Sequence, residues 1–159
     1  MFRSPADKFP IPIGQPSRLF TLVQSAAQYV YDRLQRGYEE SIYVSALAHK
    51  TQHVLAAAGL TGAVVTRERH APVMLDGLVI GDTRADLYVQ VPAPGWARID
   101  GDHTLGAETL VIEAKAVPDL SKIAGYQLAH YMRDLRCYEG MLVNFGAEQI
   151  QIVRQTLTV

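Results

Sequence analysis

The stretch that decides the fold is "LVIEAKAV", residues 110–117. It has the apolar character of a buried β-strand, but Glu113 and Lys115 interrupt it. Because successive side chains of a strand point to opposite faces, the two charges share one face, and Ile112, Ala114 and Ala116 take the other. The pair is therefore either the decoration of an exposed edge strand or part of a polar site.

A second acid stands in "RADLYV", residues 84–89, where Asp86 interrupts another apolar run. If the two strands are neighbours, Asp86 and Glu113 meet, and two carboxylates in one place repel unless a cation compensates them. Oxygen ligands of this kind suit Mg²⁺ or Mn²⁺. A nearby lysine, such as Lys115, can orient or help deprotonate a water, or stabilise developing phosphate charge. These groups are what the hydrolysis of a phosphodiester needs.

Two predicted helices offer further polar groups. Gln127 and Tyr131 are four residues apart and share one helix face, from which their polar tips can reach phosphate, a base or the lysine. Glu40, near the start of another helix, is a candidate third acid, and Glu39 is its competitor. Acids at that position are also stabilised by the helix dipole alone, so the sequence leaves a structural role open.

The order of the elements predicts the fold class. Apolar stripes indicate helices from Ser17 to about Gln35 and from about Glu39 to Ala58, and a third from about Leu120 to Leu135 capped by Asp119 or Ser121. The β-rich segment between helices two and three is punctuated by Asp76-Gly77 and Gly81-Asp82, which we interpret as turns. Two closing strands follow the third helix. This order predicts an α/β or α+β domain over residues 17–159 with a mixed sheet.

Two segments lack such periodicity. Residues 1–16 hold four prolines, which predicts an extended N-terminal arm. Residues 92–107, rich in turn formers, predict an exposed loop in which Trp96 either stacks on a base or packs the loop down.

Composition narrows the class of protein. The 159 residues are 48% hydrophobic and 19% charged, with a net charge of -1, which argues against a generally basic nucleic-acid binder but leaves room for a local cationic groove. Cys137 is the lone cysteine, so neither an internal disulfide nor a four-cysteine zinc site can form. No apolar run has the length of a membrane helix and no signal peptide is apparent, so we expect a soluble, cytoplasmic protein without membrane contact.

The motif "GYEESIY", residues 37–43, followed by Ala46-Leu47, resembles the signature of the GxxExxY proteins. The resemblance continues in the expected order through "RADLYV", "VIEAKAV", "YQLAHYMR" and "GMLVNFG", and covers roughly residues 17–154. That family is similar to PD-(D/E)xK nucleases, especially the lambda exonuclease and RecB-like branch. The resemblance implies a restriction-endonuclease-like fold, with a mixed central β-sheet flanked by helices.

The resemblance also implies roles for six residues: Glu40 as the first-helix acid, Asp86 as the metal-binding aspartate, Glu113 and Lys115 as the E-x-K pair, and Gln127 and Tyr131 as the Q-x-x-x-Y motif. Two departures stand out. The chain has "LQRG" at residues 34–37 where the family has an LGPG-like turn, and it has a longer link, residues 92–107, before the E-x-K strand. They concern the turn after the first helix and the substrate entrance.

We therefore expect a metal-dependent nuclease acting on nucleic acid, DNA in preference to RNA. Asp86 and Glu113 would hold Mg²⁺ or Mn²⁺, with Glu40 assisting directly or through water, and Lys115 would position the nucleophilic water. The alternative is a non-catalytic nucleic-acid-binding or scaffolding protein that retains the nuclease fold. A homo-oligomer or a protein partner that completes the groove is a third hypothesis.

Each candidate residue also has a structural interpretation. Glu113 and Lys115 can form a surface ion pair of little energetic value. Asp86 can cap a turn, and Gln127 and Tyr131 can mark the boundary of an amphipathic helix. His49 and His53 have the spacing of a helical metal pair, but we interpret them as solvated or structural. The arginines that flank the hairpin strands can contact phosphate or be simply exposed; they are Arg67, Arg69 and Arg84, with Glu68 among them.

Overall fold

The computed structural model describes residues 12–92 and 107–157. The elements in chain order are α1 (Arg18–Leu34), α2 (Glu40–Ala57), β1 (Val64–Leu75), β2 (Leu78–Pro92), β3 (Ala107–Lys115), α3 (Lys122–Asp134), β4 (Glu139–Asn144) and β5 (Gln151–Thr156). The five strands form one sheet in the order β1-β2-β3-β4-β5. The β3–β4 pair is parallel and the others are antiparallel, so the predicted mixed sheet flanked by helices is confirmed.

The parallel pair explains why a helix lies between β3 and β4. Two parallel neighbours cannot be joined by a tight turn, and α3 makes the crossover between them. As a result, β3 lies in the middle of the sheet with a strand on either side. An exposed edge for Glu113 and Lys115 is therefore excluded.

Helices cover both faces of the sheet, and alternate residues of β3 pack against one helix layer or the other. Ile112 and Ala114 belong to the core cluster formed with α1 and α2, whereas Val111 belongs to the cluster formed with α3. Alternation along the strand then puts Glu113 and Lys115 on the α3 face. The predicted division of this strand into an apolar and a charged face is confirmed.

The helix boundaries follow the capping residues. Ser17 caps α1, because its Oγ accepts a hydrogen bond from the Phe20 N–H at 3.0 Å. For α3 the N-cap residue is Ser121 and not Asp119, the other candidate, although the Ser121 side chain makes no capping bond.

The β1–β2 hairpin contains one of the two predicted turns. Asp76 and Gly77 have φ angles of 51° and 78° and reverse the chain. The second prediction is wrong, because Gly81 and Asp82 lie inside β2, paired with Val73 and with the residue before it. The register shifts directly after Val73, and a glycine opposite such a shift marks a bulge in a strand as readily as a turn.

A buried ion pair ties the segment before α1 to the far edge of the sheet. The Glu139 carboxylate, on β4, accepts hydrogen bonds from the Ser17 backbone N–H at 3.2 Å, from the Ser17 hydroxyl, and from Arg154 Nε at 2.6 Å. The Arg154 guanidinium also donates to the backbone carbonyls of residues 13–15. Residues 12–17 thus have no helix or strand and are held by side chains of β4 and β5.

Several predictions concern residues outside the ranges that the structure describes. Residues 1–11 of the predicted arm, residues 93–106 of the predicted loop with Trp96, and the last two residues of the predicted closing strand all lie there. Within the described ranges, no helix is long and apolar enough to cross a membrane.

Candidate active site

Asp86 and Glu113 meet at the end of the β2–β3 ladder. The last pair of that ladder is Leu87 with Ile112, and one further step in the same register sets Asp86 opposite Glu113. The Asp86 Oδ2 atom accepts a hydrogen bond from the backbone N–H of Ala114 at 2.8 Å, which fixes the carboxylate against β3. The predicted approach of the two acids is therefore present in the structure.

Glu113 is the buried centre of this group. Only 4% of the residue is exposed, its Oε1 accepts a hydrogen bond from Lys115 Nζ at 3.0 Å, and its Oε2 is buried without a hydrogen-bond partner among the described residues. Burial and the neighbouring Asp86 charge raise the pKa of Glu113 to about 7, against the opposing effect of Lys115. A surface ion pair would show neither this burial nor this shift.

The other charges of the group respond to the same surroundings. Burial raises the pKa of Asp86, the Ala114 N–H opposes that rise, and the Glu40 charge adds to it. Burial lowers the pKa of Lys115, but the carboxylates of Glu113, Glu40 and Asp86 outweigh it and raise the pKa overall. Lys115 is therefore a protonated ammonium beside two carboxyl groups whose pKa values are raised.

Glu40 faces this group from the first turn of α2. Its charge raises the pKa of Asp86, of Glu113 and of Lys115, so its field reaches all three. Glu39, the competing candidate, is the N-cap residue of α2 and makes no side-chain capping bond.

The other residues of the "GYEESIY" motif shape the turn that presents Glu40. Gly37 has a φ of 123°, a conformation that a residue with a Cβ rarely adopts. The buried Tyr43 hydroxyl donates to the Gln35 carbonyl at 2.6 Å and accepts from the Tyr38 N–H at 3.1 Å, and its ring stacks on Phe145 with centroids 4.7 Å apart. The hydrogen bonds of the Tyr43 hydroxyl thus fix the turn between α1 and α2, and we call them the Tyr43 brace.

On α3, Tyr131 lies near enough to Glu113 and Asp86 for their charges to act on it, and Gln127 lies one turn earlier on the helix. Burial, followed by the charges of Glu113 and Asp86, raises the pKa of Tyr131 to about 12, so its hydroxyl is neutral at ordinary pH. Gln127 is partly buried, and its amide makes no hydrogen bond to the rest of the described chain.

Asn144 is a residue of the site that the sequence analysis missed. It is fully buried and pairs with Lys115 across the parallel β3–β4 ladder. Its Oδ1 accepts from the N–H groups of Val117 and Gly146, each at 3.0 Å, and its Nδ2 donates to the Val117 carbonyl and to Gln151 Oε1, each at 2.8 Å. Asn144 thereby fixes the chain directly after Lys115; the available signal was an amide inside the apolar run "GMLVNFG".

The donor set fits a hard divalent cation with few protein ligands. Among residues 12–92 and 107–157, no three His, Cys, Asp or Glu side chains converge as a metal cluster, so Glu40 does not form a three-acid ligand set with Asp86 and Glu113 here. Mg²⁺ commonly binds one or two carboxylates and keeps several waters, and the unpartnered Glu113 Oε2 supplies an oxygen for it. His49 and His53 contact each other, with ring centroids 4.5 Å apart, and remain exposed.

Comparisons with known proteins identify the family. A crystal structure titled SSO0001 is similar to this chain, with 20% sequence identity, a TM-score of 0.40, and coverage of 92% of this chain and 71% of that one. No curated protein matches the sequence. The model of the PD-(D/E)XK nuclease superfamily matches residues 17–155, a range that includes every candidate site residue. The chain belongs to the PD-(D/E)XK nuclease superfamily.

Proposed function

We propose that this protein is a metal-dependent nuclease that hydrolyses phosphodiester bonds of nucleic acid, with DNA favoured over RNA. The observation that carries the proposal is the Glu113 Oε2 atom, which is buried and unpartnered among the described residues, beside Asp86 and next to the Lys115 ammonium. A buried carboxylate oxygen without a donor is costly unless a ligand completes it, and a cation is the ligand that two neighbouring acids favour.

Asp86 and Glu113 are the residues that would hold Mg²⁺ or Mn²⁺. Glu40 would assist through a water, since the described residues form no three-acid cluster. When bound, such an ion supplies stabilisation of the charge that develops on the phosphate and acidifies a coordinated water. The pairing of the acids with Ala114 and Lys115 keeps both carboxylates oriented before any ligand arrives.

Lys115 and the α3 side chains would act on the reacting phosphate. The Lys115 ammonium, held in place by Glu113, can position the attacking water or stabilise the developing negative charge. Tyr131 keeps its proton because its pKa is about 12, so its hydroxyl can donate a hydrogen bond to a phosphate oxygen. Gln127, on the same helix face, would orient the lysine or the substrate.

Motif order supports a finer assignment to the GxxExxY proteins and to the lambda exonuclease and RecB-like branch. In support, Gly37 adopts the left-handed conformation and Tyr43 braces the turn that carries Glu40, so each of the three motif positions has a distinct task.

The test is a turnover assay with Mg²⁺ or Mn²⁺ on single-stranded DNA, double-stranded DNA and RNA. We expect Lys115→Ala and Asp86→Ala to lower kcat by about 100-fold or more, the size of effect seen when a group that stabilises transition-state charge is removed. The matched control is Lys50→Ala on α2, whose ammonium lies over the Tyr29 ring of α1, 3.7 Å from its centroid. A folded Lys115→Ala variant with wild-type turnover would contradict the proposal.

The non-catalytic alternative has one observation in its favour. Lys115 already neutralises Glu113 in part, and no three-ligand cluster exists within the described residues. A wild-type protein that binds nucleic acid but cuts none of these substrates with either metal would establish the binding or scaffolding role.

A further inference from the structure

A cationic cavity lies on the β1–β2 hairpin, outside the group of acids. Its volume is about 560 Å³, and its lining residues are Thr66, Arg67, Glu68, Arg69, His70 and Arg84. The three arginines outnumber the single glutamate of the lining, and His70 is paired with Asp82 at 2.6 Å. In a chain with a net charge of -1, this is a local concentration of positive charge.

The cavity begins beside the candidate active site. Arg67 pairs with Leu87 and Arg69 pairs with Ala85, so the two arginines flank the position of Asp86 on the neighbouring strand. Glu68, which lies between them with a φ of 50°, raises the pKa of Asp86 through its charge. No helix or strand of the described residues therefore lies along the sheet between Asp86 and these arginines, which belong to adjacent strands.

The arginines are available to a ligand. Arg84 Nη1 is 3.9 Å from Glu68 Oε2, and both side chains are more than half exposed, so this contact holds little energy. The Arg69 guanidinium lies 5.3 Å from the centroid of the Tyr88 ring, which orients it without neutralising it. Within the described ranges, Arg67 has no carboxylate partner.

We propose that this arginine cavity binds the phosphodiester backbone of a nucleic-acid strand, on the part of the substrate beyond the bond held at Asp86 and Glu113. The inference rests on the proposed function, because it gives the nucleic-acid strand that is cut a second binding site on the same protein. Guanidinium groups match phosphate oxygens in two-point geometry, and a two-stranded ribbon has dimensions that fit along a nucleic-acid groove.

The test measures binding of DNA by fluorescence anisotropy without divalent metal, so that no cleavage occurs, at several salt concentrations. The variant is Arg67→Gln/Arg69→Gln/Arg84→Gln, and the matched control, Arg18→Gln/Arg33→Gln/Arg136→Gln, removes three exposed arginines outside the cavity. We expect the slope of log K against log salt to become shallower by about 2 on single-stranded DNA in the cavity variant, because each phosphate contact contributes about 0.7. The control should keep the wild-type slope.

Cleavage of long and very short oligonucleotides is the second readout, because a long substrate can contact more of the cavity than a short one. The cavity variant should raise KM more for long substrates than for short ones. If the triple variant fails to fold, Arg84→Gln alone should shift the slope by about 0.7.

The outcomes separate the two proposals. A wild-type protein that cuts DNA while the cavity variant keeps the wild-type slope overturns the inference and leaves the nuclease intact. A slope that depends on the cavity, without cleavage of any substrate, supports phosphate binding and overturns the nuclease. Absence of nucleic-acid binding overturns the inference.

Discussion

The Asp86 Oδ2 atom accepts a hydrogen bond from the backbone N–H of Ala114 at 2.8 Å. The side chain of a candidate metal ligand therefore also links β2 to β3. The β2–β3 ladder ends at Leu87 and Ile112, and the side-chain bond extends the contact between the strands past that point. The carboxylate is thus held at the acidic group by the sheet itself, at the cost of desolvation and repulsion that raise its pKa.

Substitution of Asp86 should separate its charge from its hydrogen bond. Asp86→Asn can still accept the Ala114 N–H, so we expect unfolding free energy within about 1 kcal/mol of wild type, whereas Asp86→Ala leaves that N–H unpaired and costs about 1–3 kcal/mol. Both variants should lose Mn²⁺ binding in calorimetric titration. Asp32→Asn, an exposed acid on α1, is the control and should change neither quantity. Equal stabilities for the Asn and Ala variants would contradict a structural role for this hydrogen bond.

Stability should fall as pH rises from about 4.5 to about 7. Glu113 titrates near 4.5 when unfolded and near 7 when folded, so in this window the folded state binds more protons. A pKa shift from 4.5 to about 7 changes the free energy of unfolding by at most about 3 kcal/mol. The raised pKa of Asp86 acts in the same direction. Glu40 and Tyr131 also face Glu113 and Asp86. The raised pKa of Lys115 affects the free energy of unfolding only in alkaline solution.

Urea unfolding of Glu113→Gln and wild type at pH 5 to 8 measures this effect. The stability of the variant relative to wild type should rise steadily across the window, because the variant has no carboxylate at this position to ionise. Glu108→Gln, an exposed acid on the same strand, should show no such trend. Parallel curves for Glu113→Gln and wild type would mean that Glu113 titrates normally in the folded protein.

Tyr43→Phe should destabilise the protein by about 1–2 kcal/mol, because its hydroxyl bridges the Gln35 carbonyl and the Tyr38 N–H. The ring keeps its stacking on Phe145, so the loss isolates the hydroxyl. Tyr126→Phe removes an exposed hydroxyl from α3 and is the control, expected within about 0.5 kcal/mol of wild type in thermal unfolding. If the brace presents Glu40, Tyr43→Phe should also weaken Mn²⁺ binding.

Arg154→Leu should cost about 3–5 kcal/mol, because it leaves the buried Glu139 carboxylate without its ion-pair partner. The double variant Arg154→Leu/Glu139→Gln should recover part of that loss, since the buried charge is then gone. Limited proteolysis should cut the segment before α1 faster in the single variant, as Arg154 holds residues 13–15. An undiminished loss in the double variant would show that packing, and not charge, dominates.

The sequence predicted the parts of this molecule that depend on local periodicity. The alternation in "LVIEAKAV" gave the two faces of β3, and the apolar stripe after Ser17 gave α1 with its cap. Local chemistry did not decide two further points. Both Asp119 and Ser121 are good helix caps, and a glycine such as Gly81 suits a bulge as well as a turn.

Features that depend on distant backbone groups were beyond the sequence. The partners of Tyr43, and all partners of Asn144 except the Gln151 side chain, are backbone carbonyl and N–H groups, which almost any residue type provides, so no motif reveals them. Likewise, the sequence indicated that Asp86 and Glu113 would meet, but it could not show that Glu113 Oε2 is buried without a hydrogen-bond partner among the described residues.

Parallel pairing between β3 and β4 also orders the assembly of the molecule during synthesis. A chain grows from its N terminus, and β3 has a neighbour on one side only until the crossover through α3 is complete and β4 docks. Until then β3 is an edge strand of the sheet. A nascent chain that stops before β4 therefore carries Asp86, Glu113 and Lys115 but lacks the strand that places β3 in the middle of the sheet.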